Sequence, residues 1–463
     1  MVREAAPDIS ARRIPLLINR NYALLWLGQN ISVIGDQVFN TTLVVWIGAV
    51  LTFHLSYSAL ALSGVLIAAA LPSLLFAPIA GVFVDRWDRR RTLIAADALR
   101  ALLIAALLPV AGVISLPFLS VGHISLEAQL GAIYVVVFLT SACAQFFNPA
   151  RLGLIGDIVA EPQQARASGL AQASQSLAII LGPPLAAPLL FTFGVEWALV
   201  IDALSFVVSL LTILAVRPPV VLTRAQSGKK GNLWREMREG VGFVRHNRML
   251  IAIVISLVFV VLGSGALNTL LIYFLTQYLH TPAAFYGFIG AAEGVGALGG
   301  ALIAGLFAQK LGVGRVYSWS MIVAGALFVL LAQMTDAIPA LVIIAVIGVF
   351  SAAANVALTP LVLHLVPRAL LGRVFSLIQP FIVLGSLVGT ALAGYLDGVV
   401  LQGFQIHVLG QTFRSVDTIY IAAGILVLIG GIYALLALRS MAASKNPERQ
   451  HTTNDDAIPQ GVA

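Results

Sequence analysis

The chain has 463 residues, of which 59% are hydrophobic and only 10% charged, with a mean hydropathy of +0.97. A soluble domain carries about 25% charged residues, so this composition excludes a water-solvated globule and makes lipid the solvent for most of the chain. One cysteine, Cys143, stands in an apolar run, which leaves no intrachain disulfide and no thiolate metal site.

Residues 1–23 hold four arginines and no apolar core, so no secretory signal is expected ahead of the first long span. About 20 apolar residues cross a bilayer as a helix. Runs of that kind fall at 24–51, 58–84, 92–113, 129–147, 168–193, 196–216, 250–279, 285–308, 316–334, 338–365, 374–396 and 417–438. Helices are required because lipid offers the backbone no hydrogen-bond partner. The fold class that follows is an all-α polytopic membrane protein with 12 transmembrane helices. Between the sixth and seventh spans, 217–249 reads as a cytoplasmic linker. Its Leu233, Met237, Val241 and Val244 recur at helical spacing among charged residues, which predicts an amphipathic surface helix. The tail 439–463 is polar and is expected to be disordered.

Basic residues set the orientation. Of the 27 lysines and arginines, all but Arg100 and Arg414 fall in segments that share one side if the N-terminus is inside. Both termini are therefore expected in the cytoplasm. The positive charge would face anionic lipid rather than nucleic acid.

The two halves share landmarks. Gly35, Asn40, Thr41 and Leu43 match Gly263, Asn268, Thr269 and Leu271 at an offset of 228. Asn148, Arg166, Gln172 and Gly182 match Asn355, Arg373, Gln379 and Gly389 at an offset of 207. The reading is two pseudo-symmetric six-helix bundles, 24–216 and 250–438. Such parallel repeats hold substrate near the midplane and rock to give alternating access.

Between the second and third spans stand Gly81, Asp85, Arg86, Asp88, Arg89 and Arg90. This pattern resembles motif A of the major facilitator superfamily, with Asp88 in place of the usual glycine; a degraded copy, Gly305-x3-Gln309-Lys310, occupies the equivalent loop of the second half. The resemblance implies that Gly81 permits close helix packing and that Asp85 pairs with the other half in the outward-facing state. In the fifth span, Gly169, Ala178, Gly182, Pro183, Ala186 and Ala187 resemble motif C of the family's antiporters, with alanine at three of the six positions. That resemblance implies export; ordinary small-residue packing stays open as the alternative. The stretches Gly28-Gln29-Asn30-Ile31-Ser32, Asp97-x2-Arg100, Phe147-Asn148-Pro149-Ala150-Arg151 and Glu239-Gly240-x2-Phe243 are similar to the bacterial transmembrane secretion effector branch, the enterobactin exporter and macrolide efflux type.

Ionised side chains at a span centre cost roughly 2.5–3.5 kcal/mol and tend to face a cavity or a partner. Asp97 and Arg100 share a helix face three residues apart and, with motif A, are read as an inner-gate ion-pair network. Asp36 and Glu293 have no basic partner along their spans. A carboxyl kept from water favours its neutral form, so these two, and Asp202 nearer the outer side, are the proton-coupling candidates. A helix-to-helix hydrogen bond or a flooded vestibule is the alternative for each. Asn40, Asn268, Gln172 and Gln379 are uncharged candidates for the substrate cavity.

The chain shows no Walker A loop, no histidine ligand spacing and no catalytic Ser/His cluster, so no enzyme activity, cofactor or metal is expected. The function expected is a proton-coupled secondary active exporter of amphipathic organic compounds, such as drugs, macrolides or siderophores, in the bacterial inner membrane. It would work as a monomer with protons, small-molecule substrate and membrane lipid as partners. A lysophospholipid or lipid transporter of the same fold and a non-transporting membrane sensor are the alternatives.

Overall fold

The computed structural model describes residues 18–112, 124–217, 242–367, 370–408 and 411–444. Twelve helices among them are long and apolar enough to cross a membrane. In the first half these are α1 (Arg20–Val45), α2 (Ser58–Val84), α3 (Arg89–Ala105), α4 (Leu126–Ile158), α5 (Glu161–Phe193) and α6 (Val195–Ala215). In the second half they are α7 (Arg248–Tyr273), α8 (Tyr286–Leu311), α9 (Val313–Leu331), α10 (Ala337–Leu365), α11 (Leu371–Tyr395) and α12 (Ser415–Ser444). Leu302, Leu306 and Ile338, each more than 65% exposed, project outward, where lipid rather than water is the compatible solvent.

Three boundaries differ from the sequence reading. The segment 148–167, left between the fourth and fifth apolar runs, is helical except at Val159 and Ala160: α4 runs to Ile158 and α5 starts at Glu161. Pro149 lies inside α4 without ending it, because neighbouring helices can re-satisfy freed backbone groups. Helix α12 continues to Ser444, six residues into the segment read as a disordered tail. The loop before α12 contains a hairpin of β1 (Gln405–Val408) and β2 (Gln411–Arg414), paired antiparallel with Gln405 opposite Arg414. Most of the expected amphipathic helix in the linker, and the tail beyond Ser444, lie outside the described residues.

The duplication is visible in the packing. Helix α1 packs on α5 and α6 as α7 packs on α11 and α12; α4 packs on α2 and α3 as α10 packs on α8 and α9. The halves meet through α2 with α11 and α5 with α8, again a symmetric pair. The shared glycines do matching work. A side chain at Gly35 would strike Ser205 of α6, and one at Gly263 would strike Val427 of α12. A side chain at Gly182 would strike Gln37 of α1, and one at Gly389 would strike Leu262 of α7.

The two ends of the molecule differ. At the end away from the arginines, called here the far end, one hydrophobic cluster runs through both halves, from Phe39 and Trp46 to Leu270 and Phe274. At the basic end the core divides into two separate clusters, one around Tyr22, Leu93 and Leu154, the other around Leu250, Tyr317 and Val362. Hydrogen bonds join the halves at the far end: the Ser58 and Tyr273 hydroxyls lie 2.9 Å apart, and Ser63 Oγ donates to the Thr390 carbonyl at 3.1 Å. Gly394 there lies against Ser63. At the basic end, Gly81 of α2, Gly169 of α5 and Gly305 of α8 have no atom of the described residues within 4 Å of where a side chain would begin. The molecule is closed at the far end and parted at the basic end.

Candidate functional site

A cavity of about 290 Å³ lies inside the first half among α1, α3, α4, α5 and α6. Helix α1 supplies Gln29, Ser32, Val33, Asp36 and Asn40, which recur at three- and four-residue steps and so share a face. The other face of α1 carries Gly28 and Gly35 against α6. A side chain at Gly35 would begin 2.5 Å from Ser205 Oγ and 3.0 Å from Asp202 Oδ1. The absence of one lets α6 bring Asp202 to the same wall as Asp36. Asp202 is 1% exposed; its Oδ1 accepts from Ser205 Oγ at 3.4 Å, and its Oδ2 has no partner among the described residues.

Two guanidinium groups complete the cavity. Arg100 of α3, 6% exposed, lies 4.9 Å from the Phe147 ring centroid and 5.3 Å from that of Phe206. Its Nη1 is 3.9 Å from Asp97 Oδ1, a contact too long for a hydrogen bond, and its Nε has no partner among the described residues. Asp97 is fully buried, with neither carboxylate oxygen hydrogen-bonded among those residues. Arg151 of α4 donates to Gln29 Oε1 at 3.4 Å and also has an unpartnered Nε.

This arrangement corrects two readings of the sequence. Asp97 and Arg100 are not joined to the motif A arginines; they sit inside the bundle beside the cavity that holds Asp36 and Asp202. Asp36 therefore has basic neighbours, Arg100 and Arg151, on facing helices rather than on its own. A single helix cannot show that proximity, because it arises only when α1, α3 and α4 pack. Arg151, Gln29 and Gln175 were not singled out as cavity residues. Arg151 and Gln29 stand in the stretches that resemble the secretion effector branch, which is the signal the sequence offers for them; Arg151 lies past the end of the fourth apolar run and so reads as outside the span.

The motif A residues divide in two. The Asp88 carboxylate accepts from the Arg91 N–H at 2.7 Å, so the replacement for glycine is the N-cap of α3. Arg89 pairs with Asp157 of α4 at 2.7 Å, and Arg90 donates to the Ile213 and Leu214 carbonyls at the end of α6. These bonds tie the first half together. Asp85 and Arg86 are exposed at the parted end, with no ion pair among the described residues. The motif C-like stretch forms a seam. Ala178, Ala186 and Ala187 are buried, Gly182 lies on Gln37 of α1, and the Pro183 carbonyl lies against Gly287 of α8.

Glu293 is half-buried on α8, outside the charged cavity and without an ion pair or side-chain hydrogen bond among the described residues. Its neighbour Gly294 packs on Ile180 of α5, which sets this stretch at the seam between the halves. Asn40 lines the charged cavity. Asn268 lines a second one, about 210 Å³, between the halves, with Val44, Leu66, Tyr286 and Leu387. Gln172 and Gln379 are exposed and line neither.

Residues 25–264 and 253–460 each match the sequence pattern described as Major Facilitator Superfamily. The chain belongs to the major facilitator superfamily. It is 30% identical over 231 residues to macrolide efflux protein A of Streptococcus pyogenes, a match covering 50% of this chain and 53% of that one. The chain thus spans about half the length of that relative. It is 24% identical over 437 residues, 92% of its length, to an uncharacterized MFS-type transporter of Bacillus subtilis, YkuC, with 94% of that protein covered. The fold is shared with a bacterial homologue of the iron transporter ferroportin in an inward-facing state (TM-score 0.67, 15% identity, 90% of this chain and 98% of that one). It is also shared with the nucleoside transporter NupG (TM-score 0.68, 13% identity, 91% and 99%). This superfamily member has twelve helices long and apolar enough to cross a membrane and is related in sequence to the macrolide efflux type.

Proposed function

We propose that this transporter exports amphipathic organic compounds from the cytoplasm in exchange for protons, with the basic end and both termini facing the cytoplasm. The observation that carries the reading is the cavity in the first half, lined by Asp36 and Asp202, neither of which is in an ion pair among the described residues, with Asp202 Oδ2 left without a hydrogen bond there. Ionisable groups held inside a membrane are retained where they move ions or bind ligands. The similarity to macrolide efflux protein A supports export. The dense basic residues support the orientation, since positive loops stay on the cytoplasmic side. In this reading the parted basic end is the cytoplasm-open state. Substrate enters, Asp36 gives up its proton, and rocking about the α2–α11 and α5–α8 contacts closes the basic end and opens the far end. Glu293, at the α5–α8 seam, is the second proton-coupling candidate, and Asp202 the third.

The test is transport in proteoliposomes with an imposed pH gradient and a fluorescent amphipathic cation as substrate. Asp36→Asn is expected to abolish gradient-driven efflux and to leave the thermal unfolding temperature in detergent near that of the parent. Undiminished efflux would remove Asp36 from the mechanism. A fluorescent lysophospholipid in the same vesicles tests the lipid alternative.

A further inference from the structure

The charged cavity holds groups of both signs that do not close on one another. Asp36, Asp202, Arg100 and Arg151 all line it. Among the described residues the one contact of opposite charges within the cluster is Arg100 with Asp97, at 3.9 Å, and no ion pair joins either arginine to Asp36 or Asp202. Each sign keeps an unused polar atom: Asp202 Oδ2 on the acidic side, and the Nε atoms of Arg100 and Arg151 on the basic side. Arg100 is 6% exposed, and its guanidinium is held by the faces of Phe147 and Phe206 rather than by a carboxylate.

Buried polar atoms left without partners are costly, and a set of fixed charges that served only to neutralise one another would gain by pairing. Here the helices hold them apart. Asp202 is fixed by the close approach of α6 at Gly35, Arg100 by two aromatic rings, and Arg151 by Gln29. A guanidinium offers a fork of donors that matches a carboxylate, and two of them flank this cavity. A carboxylate pair on the other walls suits an ammonium. The volume, about 290 Å³, stands at the small end of ligand pockets, so it fits a compact polar head group rather than a large ring system.

We propose that this cavity takes the zwitterionic head of its substrate, with Arg100 and Arg151 holding a carboxylate and Asp36 and Asp202 holding an amine. The apolar remainder of the substrate extends into the space between the halves, toward Val44, Leu66 and Leu387. This inference names the substrate class of the transport site proposed above and rests on that reading, but it makes its own demand on binding at equilibrium.

Three probes with one apolar body separate the charges: the dipeptide phenylalanyl-phenylalanine, its C-terminal amide and its N-acetyl derivative. They carry both charges, the positive one alone and the negative one alone. Binding to the full-length protein in detergent is measured by calorimetry with no pH gradient. The zwitterion is expected to bind at least tenfold tighter than either derivative. Arg151→Gln should reduce its advantage over the amide at least threefold, through weaker binding of the zwitterion and no weaker binding of the amide, while Arg100 still holds the carboxylate. Equal affinity of the amide and the zwitterion in the parent protein, or no binding by any of the three, overturns the proposal without recourse to a variant. Loss of gradient-driven flux is a separate readout. An Asp36→Asn protein that still exports while the parent prefers the zwitterion would sink proton coupling and leave the head-group site standing.

Discussion

The closed far end rests on contacts that a single methyl group can disturb. At Gly394 of α11, a side chain would begin on top of Ser63 Oγ, 2.8 Å from Ser63 Cβ and 2.9 Å from the Ala59 carbonyl of α2. Ser63 cannot turn aside without loss, because its hydroxyl bonds the Ala59 carbonyl at 2.8 Å and the Thr390 carbonyl at 3.1 Å. Gly394→Val therefore overpacks the state closed at this end. Overpacking costs about 1–3 kcal/mol, which corresponds to a shift of about 5- to 150-fold between two states. The state with the far end open escapes the penalty, because α2 and α11 part there. Electron spin resonance distance measurements check this, with labels at His54→Cys and His280→Cys in a Cys143→Ala background. Both label sites are exposed, one in the loop after each half's first helix. The variant should show a second, longer distance population that the parent lacks. Gly81→Val, which meets open space in this state, is the control and should not lengthen the distance. An unchanged distribution in Gly394→Val, or the same change in both variants, would refute the reasoning.

Four further outcomes are expected. Asp88→Ala should lower stability in detergent by about 1 kcal/mol through loss of the α3 cap, whereas Asp88→Gly, the residue that motif A usually has, should cost only a few tenths; equal losses would exclude the cap as the reason. Arg90→Ala should cost about 1 kcal/mol by leaving the Ile213 and Leu214 carbonyls at the end of α6 without their donor, and thermal unfolding reads it directly. Gly35→Val and Gly263→Val should each cost about 1–3 kcal/mol by overpacking α1 on α6 and α7 on α12. Only Gly35→Val should also impair transport, because it alone displaces Asp202; an equal effect on flux would count against the charged cavity. Glu293→Gln should reduce gradient-driven flux without altering equilibrium binding of the dipeptide, and a change in that binding would place Glu293 in the substrate site instead.

The sequence by itself determined the solvent, the helix count and the duplication. Lipid demands long apolar runs with internal hydrogen bonds, and those runs are legible one at a time. The repeated glycines were legible because Gly35 with Gly263 and Gly182 with Gly389 must each clear a neighbouring helix in the same way. The tertiary structure decided what the charges do. Asp36, Arg100, Arg151 and Asp202 lie on four helices and up to 166 residues apart in sequence, so nothing in their local spacing brings them to one cavity. Read along single spans, Asp36 lacked a basic partner and Asp97 with Arg100 belonged to the gate. Packed, they form one cluster in the first half, while Glu293 sits apart at the seam. Which end is closed was equally beyond the sequence, because the rocking proposed here would use one set of residues for both states. The difference lies in which inter-half contacts are made, at Ser58 with Tyr273 and Ser63 with Thr390 here, and in the space left beside Gly81.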